Sequence, residues 1–449
     1  MESLYPSWPQ AARNAVAERD ASIPADLRLP LNFIANYPAG SDVLNAAATS
    51  GLLSEKELQI TDTSSDATAI LSAIKNKDVT AVEVLTAFMK RAAIAHQLLC
   101  CLTQISFEEG LARAKELDDY YERTGELAGP LHGGIISDYM GLKGKRATGG
   151  FSGDLDRLIS TENSPVNQIL WDAGCEPTTG RLPSNGLPGC GVVPGNDAIL
   201  ATCGPLARRL VQVSESKVFR RVDSKVFICS SRDIVLFFDV VLKTQPWLQD
   251  MGLVPLPWKP ENIKWTGKIR LGVMWDDGNV QPQPPVRRAL KAMTEALKRT
   301  NNFDIVDYDP KFHKELVLMA LLLERDALRA KYYSHWNSQN IDVLLCPVQY
   351  GAAQPLQTTK YWGYTSAFNC ADFPAAVFPT GLKASATLDP KDTEPREAWS
   401  EADAYCAAAY DPLLSNDAPL SLQLVSKRHA DEVVMQALRE IEKVLPLRD

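Results

Sequence analysis

Hydrolysis at a serine requires a nucleophilic hydroxyl, a base that removes its proton and N–H donors for the developing oxyanion. Ser152 has the most suggestive context, because it lies in the glycine-rich stretch 149–153, and Ser137 and Ser184 are further candidates. Serines beside glycine are mostly turn residues, and the spacing places no base within hydrogen-bond reach of these three. We therefore predict that none of them acts as a nucleophile.

The five histidines do not supply a Ser/His/Asp triad, which needs a base oriented by a third group. His132 belongs to a Leu-His-Gly turn and is predicted to be structural. The others lie in helical contexts, mostly far apart in sequence: His96, His313, His335 and His429. Four carboxylates could do acid/base work but fit helix surfaces or strand-end turns: Glu162, Asp172, Asp276 and Asp277. We assign no catalytic residue.

The nine cysteines are an odd number with irregular spacing, so they predict neither a disulfide framework nor a paired C-x-x-C metal site. We interpret the adjacent Cys100 and Cys101 as buried small apolar residues. We expect no metal and no organic cofactor.

The composition is that of a folded globular chain, with 45% hydrophobic and 23% charged residues among 449. Its net charge of −8 argues against capture of nucleic acid or an anionic membrane, which needs clustered Lys and Arg. The N-terminus lacks a signal-peptide pattern, and no apolar run reaches about 18 residues. We predict a cytoplasmic protein with a small-molecule partner.

The elements that would position a site alternate between strands and helices. Residues 1–65 are predicted to be an irregular arm with short helices, and 66–449 an α/β domain. Predicted helices include those beginning near Ala67 and at the capping box Thr80-x-x-Glu83, followed by 107–121, 286–298, 314–335 and 429–445. Predicted strands begin at 135 and cover 268–274, 341–346, 373–377 and 420–425. This alternation predicts a mostly parallel or mixed sheet covered by helices on both faces.

Three blocks in this order are similar to the amidase signature family, particularly its fungal acetamidase-like branch. They are 90–97 with 112–118 and Gly129-Pro130-Leu131-His132-Gly133; 180–184 with Cys203-Gly204-Pro205-Leu206-Ala207-Arg208; and 345–347 with 361–369 and 418–425. The resemblance implies a single α/β domain that hydrolyses a carboxamide to an acid and ammonia or an amine. It also implies a nucleophilic serine, a second serine held by a cis peptide, and a lysine base.

The lysine base has no matching position in this chain. In the family it ends an Ile-Ser-Leu-Lys-Asp type strand, whereas here Ile136-Ser137 is followed directly by Asp138. Lys143 matches a later, non-catalytic lysine of the family pattern. Substitution by Lys143 or Lys145 stays open, provided that one of them reaches the site.

The glycine- and serine-rich block with both catalytic serines is also absent. The family's preceding helix ends at Gly174, and Glu176 already belongs to the segment beyond the block, so the gap falls at about 175–176. No Gly-Gly-Ser-Ser-Gly-Gly run occurs elsewhere. In addition, residues 209–229 separate Arg208 from Ser230, which the family pattern would join directly. We interpret this insert as translated intron.

The sequence therefore predicts an amidase-family protein whose inherited reaction is degenerate or inactive, with its central segment missing. The alternatives are a non-catalytic binding or scaffold protein, which could form a homo-oligomer or pair with an intact homologue, and a faulty gene model of an active amidase. The resemblance also implies that such genes often lie beside secondary-metabolite or nitrogen-use genes, as fungal amidases of this type do. The aromatic residues of 361–364 either line a substrate pocket or pack a loop on the core.

Overall fold

A computed structural model describes residues 8–447 except 39–40, 42, 44, 63–64, 137–167, 169–171, 178, 182–230, 246–247, 249–257, 319–321, 353, 355–357 and 393–395. The described residues form two compact units. The N-terminal unit comprises those of 8–181 and 231–248, and the C-terminal unit those of 258–447. Among them we find no helix with the length and apolar character that crossing a bilayer requires.

The N-terminal unit is mainly helical. Its helices are α1 (Trp8–Ala21), α2 (Leu31–Ala35), α3 (Ala46–Thr49), α4 (Glu55–Ile60), α5 (Ala67–Lys75), α6 (Ala81–Leu99), α7 (Phe107–Thr124) and α8 (Ser231–Lys243), with a 3-10 turn at Ala25–Leu27. The predicted helices that begin near Ala67, at Thr80 and at Phe107 are confirmed. The division into an arm (1–65) and a domain (66–449) stays a prediction.

The N-terminus of α6 is capped both by residues of its own first turn and by a distant aspartate. The predicted capping box of α6 is present, with Glu83 N–H donating to Thr80 Oγ1 and Thr80 N–H donating to the Glu83 carboxylate. Asp118 of α7 adds a second cap, accepting from the Ala81 and Val82 N–H groups at 2.8 and 3.0 Å. These carboxylates neutralise the positive end of the helix dipole and join α6 to α7.

Helix α8 is attached to the start of α5 in the same way. Asp233 accepts hydrogen bonds from the N–H groups of Ala67 and Thr68 and from the Thr68 hydroxyl, at 2.7 to 2.9 Å. Arg232 pairs with Asp66, the residue that caps α5 from its own side chain. The chain beyond the insert at 209–229 therefore packs on this unit through specific side chains.

Four short strands complete this unit: β1 (Leu102–Ile105), β2 (Gly134–Ile136), β3 (Cys175–Pro177) and β4 (Thr179–Arg181). β2 pairs with β3 in parallel, and β1 pairs with β4 antiparallel. The predicted strand start near Ile135 is confirmed. β3 and β4 are separated by one residue, so residues 175–181 span two strand pairings.

The C-terminal unit is built on a five-stranded mixed sheet in the order β6-β5-β7-β9-β8. The strands are β5 (Ile269–Val273), β6 (Phe303–Asp307), β7 (Val343–Pro347), β8 (Ala375–Lys383) and β9 (Pro419–Val425). β5 is parallel to β6 and β7, whereas β9 is antiparallel to β7 and β8. The flanking helices are α9 (Pro284–Lys298), α10 (His313–Leu318), α11 (Leu322–Gln339), α12 (Gly363–Ala371), α13 (Glu401–Ala408) and α14 (Asp431–Glu442), with a 3-10 turn at Pro260–Asn262.

The predicted α/β fold with a mixed sheet is confirmed, with four exceptions in detail. The helix predicted over 314–335 corresponds to α10 and α11, and residues 319–321 between them lie outside the described residues. β1, β3 and β4 were not predicted, and neither was β6, an edge strand whose Asp304 and Asp307 weaken the apolar pattern of a strand. The interpretation of Cys100 and Cys101 as buried is wrong: Cys100 is exposed and Cys101 is half-buried, because Cys100 is the left-handed residue that ends α6.

Candidate functional site

The loop that precedes β2, the strand after which the family carries its lysine, is held by backbone hydrogen bonds. It connects α7 to β2, with the Leu131 N–H donating to Ala173 O and the Gly133 N–H donating to Gly174 O, both at 2.9 Å. These bonds continue the parallel pairing of β2 with β3. The candidate site therefore lies where β2 ends, beside the chain that follows Gly174.

Two glycines allow the backbones to approach this closely. A Cβ at Gly129 would lie 2.5 Å from Ala173 O, and one at Gly174 would lie 2.8 Å from His132 Cα. Gly174 also has a φ of +95°, which side chains disfavour. The loop Gly129-Pro130-Leu131-His132-Gly133 therefore packs closely against Ala173 and Gly174, which directly precede β3.

His132 supports this loop from within. It is 1% exposed, its Nδ1 accepts the Ala128 N–H at 3.0 Å, and its ring packs edge-on with Tyr121. Burial lowers the pKa of His132 below its usual value, which favours the neutral imidazole. These contacts agree with the structural role predicted for this histidine.

The other sequence candidates for this site lie outside the described residues. These are Ser137, Ser152, Ser184, Lys143, Lys145 and Glu162, together with the insert 209–229. Asp172 is described and exposed, and it accepts a hydrogen bond from the Gln168 amide at 2.8 Å. Within the described part of the chain, no group of three or more His, Cys, Asp and Glu side chains could hold a metal ion.

Two further histidines, both in the C-terminal unit, have different partners. His313 is fully buried, with Nδ1 3.4 Å from the Tyr332 hydroxyl and Nε2 3.3 Å from Gly363 O. His335 is half-buried, and its Nε2 lies 2.8 Å from Asp309 O.

His96 faces a carboxylate. Its Nδ1 accepts the Leu102 N–H at 3.0 Å, so its proton is on Nε2, which lies 3.3 Å from Asp20 Oδ1. Burial lowers the pKa of His96, although the Asp20 carboxylate opposes this effect. Protonating Nδ1 would break the bond from Leu102.

This geometry predicts a loss of stability in mild acid. Because the pKa of His96 is lower in the folded than in the unfolded chain, its contribution is complete above about pH 6.5 and is lost as the pH falls through the folded pKa. The free energy of unfolding in urea should decrease over that window, and His96→Gln should reduce this pH dependence. The control is His335→Gln, at a half-buried histidine. The prediction would be contradicted if His335→Gln reduced the pH dependence as much as His96→Gln does, or if His96→Gln left it unchanged.

A buried carboxylate holds the turn that follows strand β5 in the C-terminal unit. Asp277, 1% exposed, follows β5 and accepts from the N–H groups of Asn279 and Val280 at 2.9 and 2.8 Å and from the Tyr361 hydroxyl at 2.5 Å. Tyr364 is also buried, and its hydroxyl donates to Val280 O. Burial and Asp277 raise the pKa of Tyr361 well above its usual value.

The aromatic stretch 361–364 is therefore mainly core packing. Tyr361 and Tyr364 are buried, whereas Trp362 is 40% exposed.

The hydrogen bonds of Asp277 could have been expected from the Asp-Asp-Gly-Asn turn after β5. Aspartate in such a turn commonly accepts the N–H of the residue two positions later. Asp276 accepts the Gly278 N–H there, and burial raises its pKa.

The mixed sheet with its flanking helices, together with the loop before β2, forms a fold that is known from solved structures. The structure resembles a fatty acid amide hydrolase, with a TM-score of 0.80 at 22% identity, over 98% of this chain and 95% of that one. A bacterial aryl acylamidase of the amidase signature family matches with a TM-score of 0.57 at 13% identity, over 85% of this chain and 96% of that one. These likenesses establish the amidase-signature fold.

Sequence comparison gives the family itself. The Amidase family model matches residues 226–324. A provisionally named amidase of Schizosaccharomyces pombe is 31% identical over an alignment of 564 positions, which covers 98% of this chain and 99% of the relative. An acetamidase of Emericella nidulans is 26% identical over 98% of each chain. The chain belongs to the amidase signature family.

Proposed function

We propose that this protein descends from a hydrolase of small carboxamides and that the chain as it stands does not perform the reaction. The inherited reaction converts a carboxamide to a carboxylic acid and ammonia or an amine. The observation that carries the proposal is the continuous path from Gly174 through β3 to β4, within which the sequence holds no serine. Neither catalytic serine of the family has a position there.

The length of the family alignment supports a missing block. Since 98% of 449 residues is about 440, about 120 of the 564 positions aligned with the Schizosaccharomyces pombe relative have no residue in this chain. This number is the total over the whole alignment. It is large enough to include a strand, a helix and the glycine-rich segment that the family places between them.

The loss is chemically disabling because the missing groups act together. A serine hydroxyl is a weak nucleophile until a base removes its proton, and the oxyanion needs fixed N–H donors. A remaining lysine such as Lys143 supplies at most the base. Without the glycine-rich block, neither the nucleophile nor the donors are present.

The test is to restore the block. The chain as given should release no ammonia from simple amides above the buffer rate, whereas a chimera that carries the relative's block after Gly174 should release it. Replacing the grafted nucleophilic serine with alanine is the matched control and should abolish the release. Ammonia release by the original chain, abolished by one substitution among Ser137, Ser152 and Ser184, would overturn the proposal.

A second candidate is an active amidase whose mature transcript differs from this sequence. It is favoured by the docking of Arg232 and Asp233 on α5, because the family pattern resumes immediately beyond the insert. Sequencing the transcript across the codons for residues 174–233 decides between them. A restored glycine- and serine-rich block and a direct join of Arg208 to Ser230 would establish this candidate.

We further propose a cytoplasmic location and, for the inactive chain, a partner that covers the surface left by the missing block. That partner is a second copy or an intact homologue. Apolar faces left by removing central elements are costly in water, which supports such pairing. Size-exclusion chromatography with light scattering, with and without the intact relative, would detect the complex.

A further inference from the structure

The end of α6 presents two adjacent cysteines in different environments. Cys100 is exposed, has a φ of 49° and donates its N–H to His96 O at 2.7 Å. Cys101 is half-buried and packs against the core between α6 and α7. The backbone turn at Cys100 therefore directs one thiol to solvent while the other contacts the core.

A mostly buried guanidinium lies beside the exposed thiol. The Arg19 side chain is only 9% exposed, and its Nη2 lies 3.6 Å from Cys100 Sγ. The same group donates to Leu102 O at 3.1 Å and pairs with Asp20 at 2.8 Å. Because these two contacts fix its plane, the cation stays beside the sulfur.

The other cysteines in the described part of the chain lack this combination. Cys346, Cys370 and Cys406 are buried. Burial raises the pKa of Cys406 to about 12 and raises that of Cys346 further. Thiols of this kind react slowly, since the thiolate is the nucleophile and access is blocked.

We propose that Cys100 is an oxidation site that reacts with hydroperoxides, assisted by Arg19. The Cys100 sulfur attacks one peroxide oxygen, an S–O bond forms and the O–O bond breaks. The departing hydroxide takes up the thiol proton and leaves as water, so that thiol and hydrogen peroxide become sulfenic acid and water. Arg19 stabilises negative charge on the sulfur during the attack and then donates to the sulfenic oxygen.

The proposal is independent of amide hydrolysis and is tested on the full chain. Hydrogen peroxide is added with dimedone, which captures sulfenic acids, and each cysteine peptide is quantified by mass spectrometry over time. Cys100 should be labelled faster than Cys101, Cys370 and Cys406. Arg19→Gln should slow labelling of Cys100 about tenfold, the effect of removing one charge-assisted contact.

The matched control is Arg28→Gln, because Arg28 donates to Asp20 O at 3.3 Å and makes no contact with the thiol. It should leave the Cys100 rate unchanged. Mere loosening of α1 would expose Cys100 further and accelerate labelling, so a slower rate in Arg19→Gln cannot arise from unfolding. Equal labelling of Cys100 and Cys101, or an unchanged or faster rate in Arg19→Gln, would overturn the proposal.

Discussion

Replacing Gly129 with alanine should lower the free energy of unfolding by about 3 kcal/mol, the upper range for overpacking. The new Cβ would meet the carbonyl oxygen, the carbonyl carbon and the Cα of Ala173 at 2.5, 2.7 and 2.9 Å. All three are backbone atoms of a segment that is held by hydrogen bonds. Ala173 O accepts the Leu131 N–H and Gly174 O accepts the Gly133 N–H, so the segment cannot move away without breaking these bonds. Urea denaturation followed by circular dichroism measures the loss.

Gly267→Ala is the matched control for this substitution. A Cβ at Gly267 has no heavy atom within 4 Å. The same glycine-to-alanine change there should leave the free energy of unfolding within about 0.5 kcal/mol of the original. A similar loss at both positions would show that the contact between the loop and Ala173 is not tightly packed.

Asp277→Ala should cost about 3 kcal/mol, because it leaves three buried donors without their acceptor. These are the N–H groups of Asn279 and Val280 and the hydroxyl of Tyr361. None can turn to water, since Asn279, Val280 and Tyr361 are all buried. The free energy of unfolding, measured by urea denaturation, is again the readout.

The adjacent Asp276 supplies the control for this position. It is only half-buried and accepts one N–H, from Gly278 at 2.9 Å, so Asp276→Ala should cost about 1 kcal/mol or less. In the Tyr361→Phe background, Asp277→Ala should cost less than alone, because one orphaned donor has been removed. Equal costs for the two aspartates, or full additivity with Tyr361→Phe, would contradict the arrangement.

Features encoded within a few residues could be predicted from the sequence. The capping box at Thr80 and Glu83 spans one helical turn, so its two hydrogen bonds follow from local spacing. The buried strands β5 and β7 are continuous apolar runs, and the helices between them have an amphipathic period. For the same reason the absence of a glycine- and serine-rich block is readable directly from the chain.

Features that join distant residues could not be predicted in this way. Asp118 caps α6 from 37 residues away, and Asp233 caps α5 from 166 residues away. Asp277 and Tyr361 are 84 residues apart, and each alone fits a surface turn or a pocket wall. The environment of Cys100 depended on the left-handed turn that ends α6 and on contact with Arg19, which lies 81 residues earlier.

The sequence by itself determined the family resemblance, the mixed α/β fold and the absence of a Gly-Gly-Ser-Ser-Gly-Gly run, because these depend on residue identity and local order. Only the tertiary structure decided that β2 pairs with β3 directly after Gly174, that Asp277 holds Tyr361 in the core, and that Arg19 lies beside Cys100. The physical reason is that hydrogen bonding and burial act over a few ångströms in space. The sequence separation between the partners carries no record of that proximity.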